Sequence, residues 1–286
     1  MLGLGQGTSI TKKRSTFLPI DVDSCVAWYD FRDLTTMYTD TGSTNISSDG
    51  QGVYRIDNKS YTYNNLNNNI NIGKYLEQAS ASNRPTYRTG GGGYVSFDGS
   101  NDILIATNTS GNVDTNKLSD TTLNGRALTI FFITEASAAL VSGDEYLMHL
   151  SGAESDDRMS IYVDNNLSED RWQWHDQNNV ARTNVTINCG QNLTTSKELW
   201  TVDLDGASSG SFYRNNNTAD GITNGSTDNH NIDLSANDAD VKFMLGGDGS
   251  SNNFAGGIYE FIIYDRALTD IEIKMLNKYL LAKHRI

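Results

Sequence analysis

The chain is 286 residues long, 37% hydrophobic and 9% aromatic, with a formal net charge of −13. That acidity excludes a phosphate-neutralising nucleic-acid binder, which needs a basic face, and disfavours anionic membranes. Abundant Asn, Ser, Thr and Gly point to short strands joined by many loops, while the aromatic content argues against disorder.

Residues 1–20 read as an arm, and residues 21–286 as one domain. The opening "MLGLGQGTSITKKRSTF" has three spaced glycines and a basic cluster but no apolar core or cleavage site, so it is not a recognisable signal peptide. The expected product is soluble and made in the cytoplasm. The arm is expected to dock on a neighbouring subunit, with Leu2, Leu4, Lys12, Lys13, Arg14 and Phe17 as its contacts.

Beyond the arm, strand-like runs alternate with turns. "CVAWYDF" (25–31) comes first, then an Asn-rich excursion over 36–80 with small strands of its own. "YVSF" (94–97) and "DILIAT" (102–107) flank an Asp-Gly-Ser-Asn turn. "ALTIFFITE" (127–135) reads as a buried strand, and its apolar run is too short to cross a bilayer. "EYLMHL", "RMSIYV", "RWQWH", "VARTNVTI", "ELWTVDLDG", "SFYRN", "VKFMLGG" and "GIYEFIIYD" continue the series. About a dozen short strands without helical periodicity indicate an antiparallel sandwich or barrel.

A helix closes the chain. Thr269 and Glu272 have capping-box spacing, with Leu268 and Ile273 at the staple positions. Ile273, Leu276 and Leu280 follow helical spacing, and Lys283, His284 and Arg285 suit the negative end of the dipole. Cys25 and Cys189 lie in apolar strands, which favours buried thiols over a disulfide.

Four segments carry a resemblance. "VAWYDFRDL" (26–34), "VYRIDNKS" (53–60), "SNRPTYRTGGGGYVSFDGSNDILI" (82–105) and the closing strand and helix (256–286) resemble the laminin-G-like branch of the concanavalin A-like lectin/glucanase superfamily. The resemblance implies an all-β, two-sheet antiparallel jelly-roll sandwich with adjacent first and last strands, a short C-terminal helix and an extended N-terminal arm. It implies no particular ligand. The opening residues also resemble N-termini of tailed-phage structural proteins.

Candidate chemistry is sparse. Glycosidases of the superfamily carry a Glu-x-Asp-x-(x)-Glu strand; Glu154-Ser155-Asp156 comes nearest but lacks the last carboxylate. Glu260 and Asp265, on one extended strand, would face opposite sides about 16 Å apart, whereas paired glycosidase carboxylates need about 5–9.5 Å. Glu260, sharing a face with Ile258, Ile262 and Tyr264, is expected to be partly buried and hydrogen-bonded. The four histidines show no metal spacing, and "RTGGGGY" (88–94) lacks the Lys and Ser/Thr of a phosphate loop. Asp98 with Asp102, or Asp248 with Asn252, offer oxygen ligands for calcium, but turn carboxylates more often bond backbone; no cofactor or metal is expected. Trp172, Trp174 and His175 are the glycan-binding candidates, set against packing of the tryptophan pair in the core or at a subunit contact.

The favoured expectation is therefore a non-enzymatic virion structural protein of a tailed phage, a decoration, fibre or attachment component. It would join other virion proteins through its arm, form a homo-oligomer and present the jelly roll outward, with a host-surface glycan as a possible partner. A free lectin or adhesin module is the alternative, and a glycoside hydrolase the least favoured reading.

Overall fold

The computed structural model describes residues 17–60, 74–107, 127–137, 144–151, 158–164, 171–178, 183–189, 194–204, 210–215, 221–225 and 242–286, with backbone alone for 107, 158, 164, 171–178, 183–189 and 221–225. Among the described residues, seventeen strands form two antiparallel sheets, and a helix, Asp270–His284, packs outside one of them. No helix among the described residues is long and apolar enough to cross a membrane.

The smaller, seven-stranded sheet has the order β14(Gly210–Arg214), β13(Glu198–Leu204), β8(Leu128–Ala136), β17(Ala255–Tyr264), β6(Tyr94–Asp98), β5(Thr86–Arg88), and β1(Cys25–Asp30) also pairs with β17. Its central strands are buried on both faces. Ile130 and Phe132 of β8 and Phe261 and Ile263 of β17 point into the inter-sheet core. Phe131, Ile133, Ile262 and Tyr264 point the other way, into a second core under the helix. Double-sided burial explains why these strands read as continuous apolar runs, without the polar–apolar alternation of a half-exposed strand.

The larger sheet has ten strands in the order β15(Gly221–Gly225), β12(Thr183–Cys189), β11(Arg171–Asn178), β10(Arg158–Asp164), β9(Glu145–Ser151), β16(Lys242–Leu245), β7(Leu104–Thr107), β4(Tyr75–Glu77), β3(Arg55–Asp57), β2(Met37–Tyr38). Strands β2, β3 and β4 come from the Asn-rich excursion, which thus builds one edge of this sheet. They are the small strands expected of the excursion, although two or three residues are too few to display a period that would place them in a sheet; β5 and β15 are the strands that the sequence pattern did not predict.

First and last strands are neighbours, as the resemblance implied. Trp28 pairs with Ile262 and Asp30 with Glu260. Strand β17 changes partner along its length: Ala255–Ile258 pair with β6, Glu260–Tyr264 with β1. At the changeover its register against β8 slips, from Ile258↔Thr134 to Glu260↔Ile133. Tyr259 is the additional residue of this bulge, and its carbonyl accepts the Phe31 N–H at 3.1 Å. A bulge re-aims the side chains that follow it. Ile258 consequently lies in the inter-sheet core while Glu260 joins the helix side, so the shared face expected for these two residues does not form.

The helix starts as its sequence requires. The Thr269 side chain accepts from the Glu272 N–H, and Glu272 reciprocates to the Thr269 N–H at 2.8 Å. Glu272 also forms a bidentate pair with Arg266, which with these bonds pulls its carboxyl pKa down to about 2. Leu268 and Ile273 meet in the second core as a staple, beside Leu276 and Leu280. Residues 17–20 enter the same core: Phe17 lies edge-on to Tyr279 at 5.8 Å, and the Pro19 carbonyl accepts the Tyr264 hydroxyl. Phe17 therefore contacts this chain's own helix. Leu2, Leu4, Lys12, Lys13 and Arg14 lie outside the described residues.

Gly246, directly after β16, has φ +87°, and a Cβ there would stand 2.1 Å from Cδ1 of Phe97. Only glycine meets both conditions.

Leu276 is fully buried between helix and sheet. Leu276→Ala should lower unfolding free energy by about 3 kcal/mol, read from urea denaturation; a loss below about 1 kcal/mol would mean the helix layer is only loosely attached.

Candidate functional site

The buried carboxylate that the sequence singled out is the centre of a polar network. Glu260 is 1% exposed. Its Oε1 accepts from Trp28 Nε1 at 2.7 Å, and its Oε2 from Lys283 Nζ at 2.7 Å and His284 Nε2 at 2.5 Å. The Lys283 ammonium also reaches Asp30 Oδ2 at 2.8 Å. Lys59 joins Asp30, at 3.3 Å, to Asp33, at 2.6 Å, and stands 4.5 Å above the Trp28 ring. Asn58 closes the network against β1, accepting from the Trp28 N–H and donating to the Val26 carbonyl.

Burial alone would raise the Glu260 pKa, but the hydrogen bonds and charges of His284 and Lys283 outweigh it and hold the carboxyl below its ordinary value. His284 moves down as well, because burial, with Lys283 and Arg32 nearby, disfavours a further cation more than Glu260 favours one. A neutral imidazole donating through Nε2 suits the geometry. It leaves Nδ1 as a buried lone pair with no hydrogen-bond partner, a smaller penalty than a buried N–H without one.

Asp30 and Glu260 share one ammonium, so two carboxylates do lie close together, on adjacent strands. Sequence reasoning missed this partner because it sought one along the same strand. The pair is nonetheless sealed: Lys283 bridges it, Trp28 lies against it, and both Glu260 oxygens are occupied. The arrangement ties β1, β17 and the helix together, and it offers no open carboxylate to a sugar.

The middle of the larger sheet's outer face carries a second polar group. Register aligns Ile105, Met244, His149, Ser160 and His175 in one row across five strands. His149 Nδ1 lies 2.9 Å from Ser160 Oγ, and Tyr146 stacks on Tyr162 at 5.0 Å. Neither His149 nor Ser160 has a sequence neighbour that announces this meeting, because it is a cross-strand pair; the alternation of "EYLMHL" and "RMSIYV" is the signal that could have found it. Ser160 is fully buried, so this Ser–His contact presents no nucleophile to solvent.

Trp172 and Trp174 stand opposite Val163 and Ile161, both core residues, while His175 stands opposite Ser160 in the outer row. The side chains of all three lie outside the described structure, as does Glu154 entirely.

The acidic turns bond mostly to their own loops. Asp98 accepts from the backbone N–H groups of Ser100 and Asn101, and Asp102 accepts from that of Asp98. Asp248 accepts from Ser250 N–H, Ser250 hydroxyl and Asn252 Nδ2. Among the described residues no group of three or more His, Cys, Asp or Glu converges as a metal site. Cys25 is buried, which pushes its thiol pKa far up; Cys189 is described by its backbone alone.

No protein-family model and no curated protein matches the chain. Solved structures do. A Trypanosoma rangeli sialidase in complex with 2,3-difluorosialic acid aligns with TM-score 0.54 and 13% identity over 94% of this chain. The ligand-binding domain of botulinum neurotoxin serotype D, in complex with N-acetylneuraminic acid, aligns with TM-score 0.51 and 12% identity over 90% of this chain. The chain spans 36% of that sialidase and 51% of that toxin domain. At such identities the likeness is one of fold: a β-sandwich that also occurs in lectin-like proteins.

Glu260→Gln keeps an acceptor for Trp28 but leaves Lys283 less well compensated. It should destabilise the protein by about 3 kcal/mol, measured by chemical denaturation; an unchanged midpoint would remove Glu260 from the fold's support. Asp102 gives a pH-dependent case. Burial, then the charge of Asp98, raises its pKa from 3.8 to about 6. Its ionised form therefore opposes folding above pH 6, and the penalty disappears as pH falls towards 3.8. Asp102→Asn should raise the melting temperature at pH 8 and gain clearly less at pH 4.5; equal gains would contradict the shift.

Proposed function

We propose that this chain is a non-enzymatic jelly-roll module that binds a glycan and is displayed from a larger assembly, a tailed-phage virion. The observation that carries the non-enzymatic part is the state of Glu260. The closest carboxylate pair described around it is buried and bridged by Lys283, where a glycosidase needs two accessible carboxyls with room for sugar or water between them. Glycan binding is supported by the sandwich fold, shared with a sialidase and a neurotoxin ligand-binding domain whose structures hold sialic-acid compounds. Display from a virion rests on the resemblance of the opening residues, and the homo-oligomer on the symmetric positions that such proteins occupy.

One experiment separates the enzyme from the binder. The purified protein is assayed for glycan-array binding and for reducing-end release from polysaccharides. Binding without turnover is expected. Turnover by the purified protein would overturn the non-enzymatic reading, and binding to no glycan would overturn the lectin reading. Trp172→Ala and His175→Ala, at register positions on opposite faces of β11, then locate the platform: loss of binding in either keeps this strand as the site, and survival in both removes it.

The assembly role has its own test. Residues 17–20 belong to the second core, so deleting residues 1–16 should preserve the fold while preventing incorporation into particles. A truncated chain that still assembles would end the anchoring proposal.

A further inference from the structure

One corner of this acidic protein is strongly basic. The turn Gly90–Gly93 joins β5 to β6, with positive φ at Gly91, Gly92 and Gly93 and with Gly90, Gly91 and Gly92 exposed. Its successive carbonyls hold two cations. Lys197 Nζ lies 3.3 Å from the Gly91 oxygen, and Arg32 Nε 3.0 Å from the Gly92 oxygen. Arg32 Nη1 donates to the Lys283 carbonyl at 2.5 Å, which brings the guanidinium to the helix's C-terminal end. Arg285, the exposed C-cap, follows two residues later.

Among the described residues, none of these three cations lies within 4.0 Å of a carboxylate, unlike Lys59, Lys283, Arg55, Arg214 and Arg266. The helix's terminal carbonyls account for one N–H of Arg32. They do not account for its Nη2 or for the charges of Lys197 and Arg285. Lys197 records the crowding: burial lowers its pKa, and Arg32 and Arg285 lower it further against the single opposing effect of Glu135. An anion placed here would relieve that repulsion.

We propose that Arg32, Lys197 and Arg285, arranged around the Gly90–Gly93 turn, form a subsite for the carboxylate of an acidic sugar. The surroundings favour a sugar acid over a bare phosphate. Half-exposed Tyr94 lies beside Tyr259, with ring centroids 4.9 Å apart, and Lys197 stands 4.8 Å above the Tyr259 ring. Arg32 Nη2, with Lys197 and Arg285, can donate to a carboxylate, while the Tyr94 edge offers an apolar contact to the ring carbons. The glycines keep the approach open, since a Cβ at Gly92 would come within 3.2 Å of Arg32 Nη2. This subsite rests on the glycan-binding reading and specifies the class of glycan.

The test compares methyl glucuronide with methyl glucoside, which differ only in the carboxylate, by titration calorimetry at low salt. The glucuronide should bind about tenfold more tightly, as charge-assisted hydrogen bonds allow, and this preference should fade as salt rises. Lys197→Met keeps the stem on Tyr259, and Arg285→Gly suits the left-handed C-cap. Each should remove most of the preference while leaving the melting temperature and the binding of methyl glucoside unchanged. Equal binding of the two sugars, or a preference that survives both substitutions, overturns the subsite but leaves glycan binding standing. If neither sugar binds, sodium acetate against sodium chloride at equal ionic strength decides. Amide shifts at Gly91–Gly93 that Lys197→Met abolishes would keep the carboxylate site while the glycan reading fails, and no shifts would end both.

Discussion

The fold depends on one buried carboxylate. Glu260 accepts from Trp28 of the first strand and from Lys283 and His284 of the terminal helix, partners 232, 23 and 24 residues away in sequence. A buried anion is tolerable only when its charge and its lone pairs are matched, and three donors on two oxygens achieve this here. Because the donors come from two distant places, the first strand and the end of the terminal helix, the requirement fixes the β1–β17 register and seats the helix together. The bulge at Tyr259 completes the arrangement. Unbroken alternation from Ile258 would turn Glu260 towards the inter-sheet core and Phe261 away from it; the bulge lets Ile258 and Phe261 both face that core while Glu260 faces the helix.

This explains why the seven-stranded sheet has a second core. Phe131, Ile133, Ile262 and Tyr264 need cover, and a single amphipathic helix provides it. The helix is directed by two separate means. At its start the capping box and the Arg266–Glu272 pair fix where it begins. At its end the ion pairs of Lys283 and the buried His284 fix where it lies. The hydrophobic face between them supplies most of the attachment, since burial of Leu276 and Leu280 outweighs what either terminus contributes.

How much of this the sequence revealed follows from the range of each interaction. Thr269, Glu272, Leu268 and Ile273 lie within one turn of one another, so the helix start was legible. The long strands were legible too, since β8 and β17 run for 9 and 10 residues. Glu260's burial and bonding were expected, but not Trp28, Lys283 and His284 as its partners. Lys283 and His284 read as ordinary helix-end cations, because nothing local distinguishes a residue facing a dipole from one facing a buried carboxylate. Cross-strand meetings such as Asp30 with Glu260 and His149 with Ser160 need a register that no single strand encodes. The 2–3-residue strands of the Asn-rich segment carry no period, so their place at a sheet edge emerges only from pairing with β7. Arg32, Lys197 and Arg285 are dispersed over the whole chain, and only the fold gathers them.

The burial pattern also decides where recognition can occur. The outer face of the smaller sheet is occupied by the helix. At the centre of the larger sheet's outer face, Tyr146, His149, Ser160, Tyr162 and Met244 are each no more than 8% exposed. Among the described residues, neither central face presents an open platform of side chains, while exposed groups gather at a rim. The Gly90–Gly93 turn is such a rim: exposed backbone beside fixed cations, held in place by the same helix whose position Glu260 determines. Arg32 couples the two regions, since it follows Asp30 by two residues and donates to both the turn and the helix end. The buried anion that closes the sandwich thereby also helps to place Arg32 between the turn and the helix end.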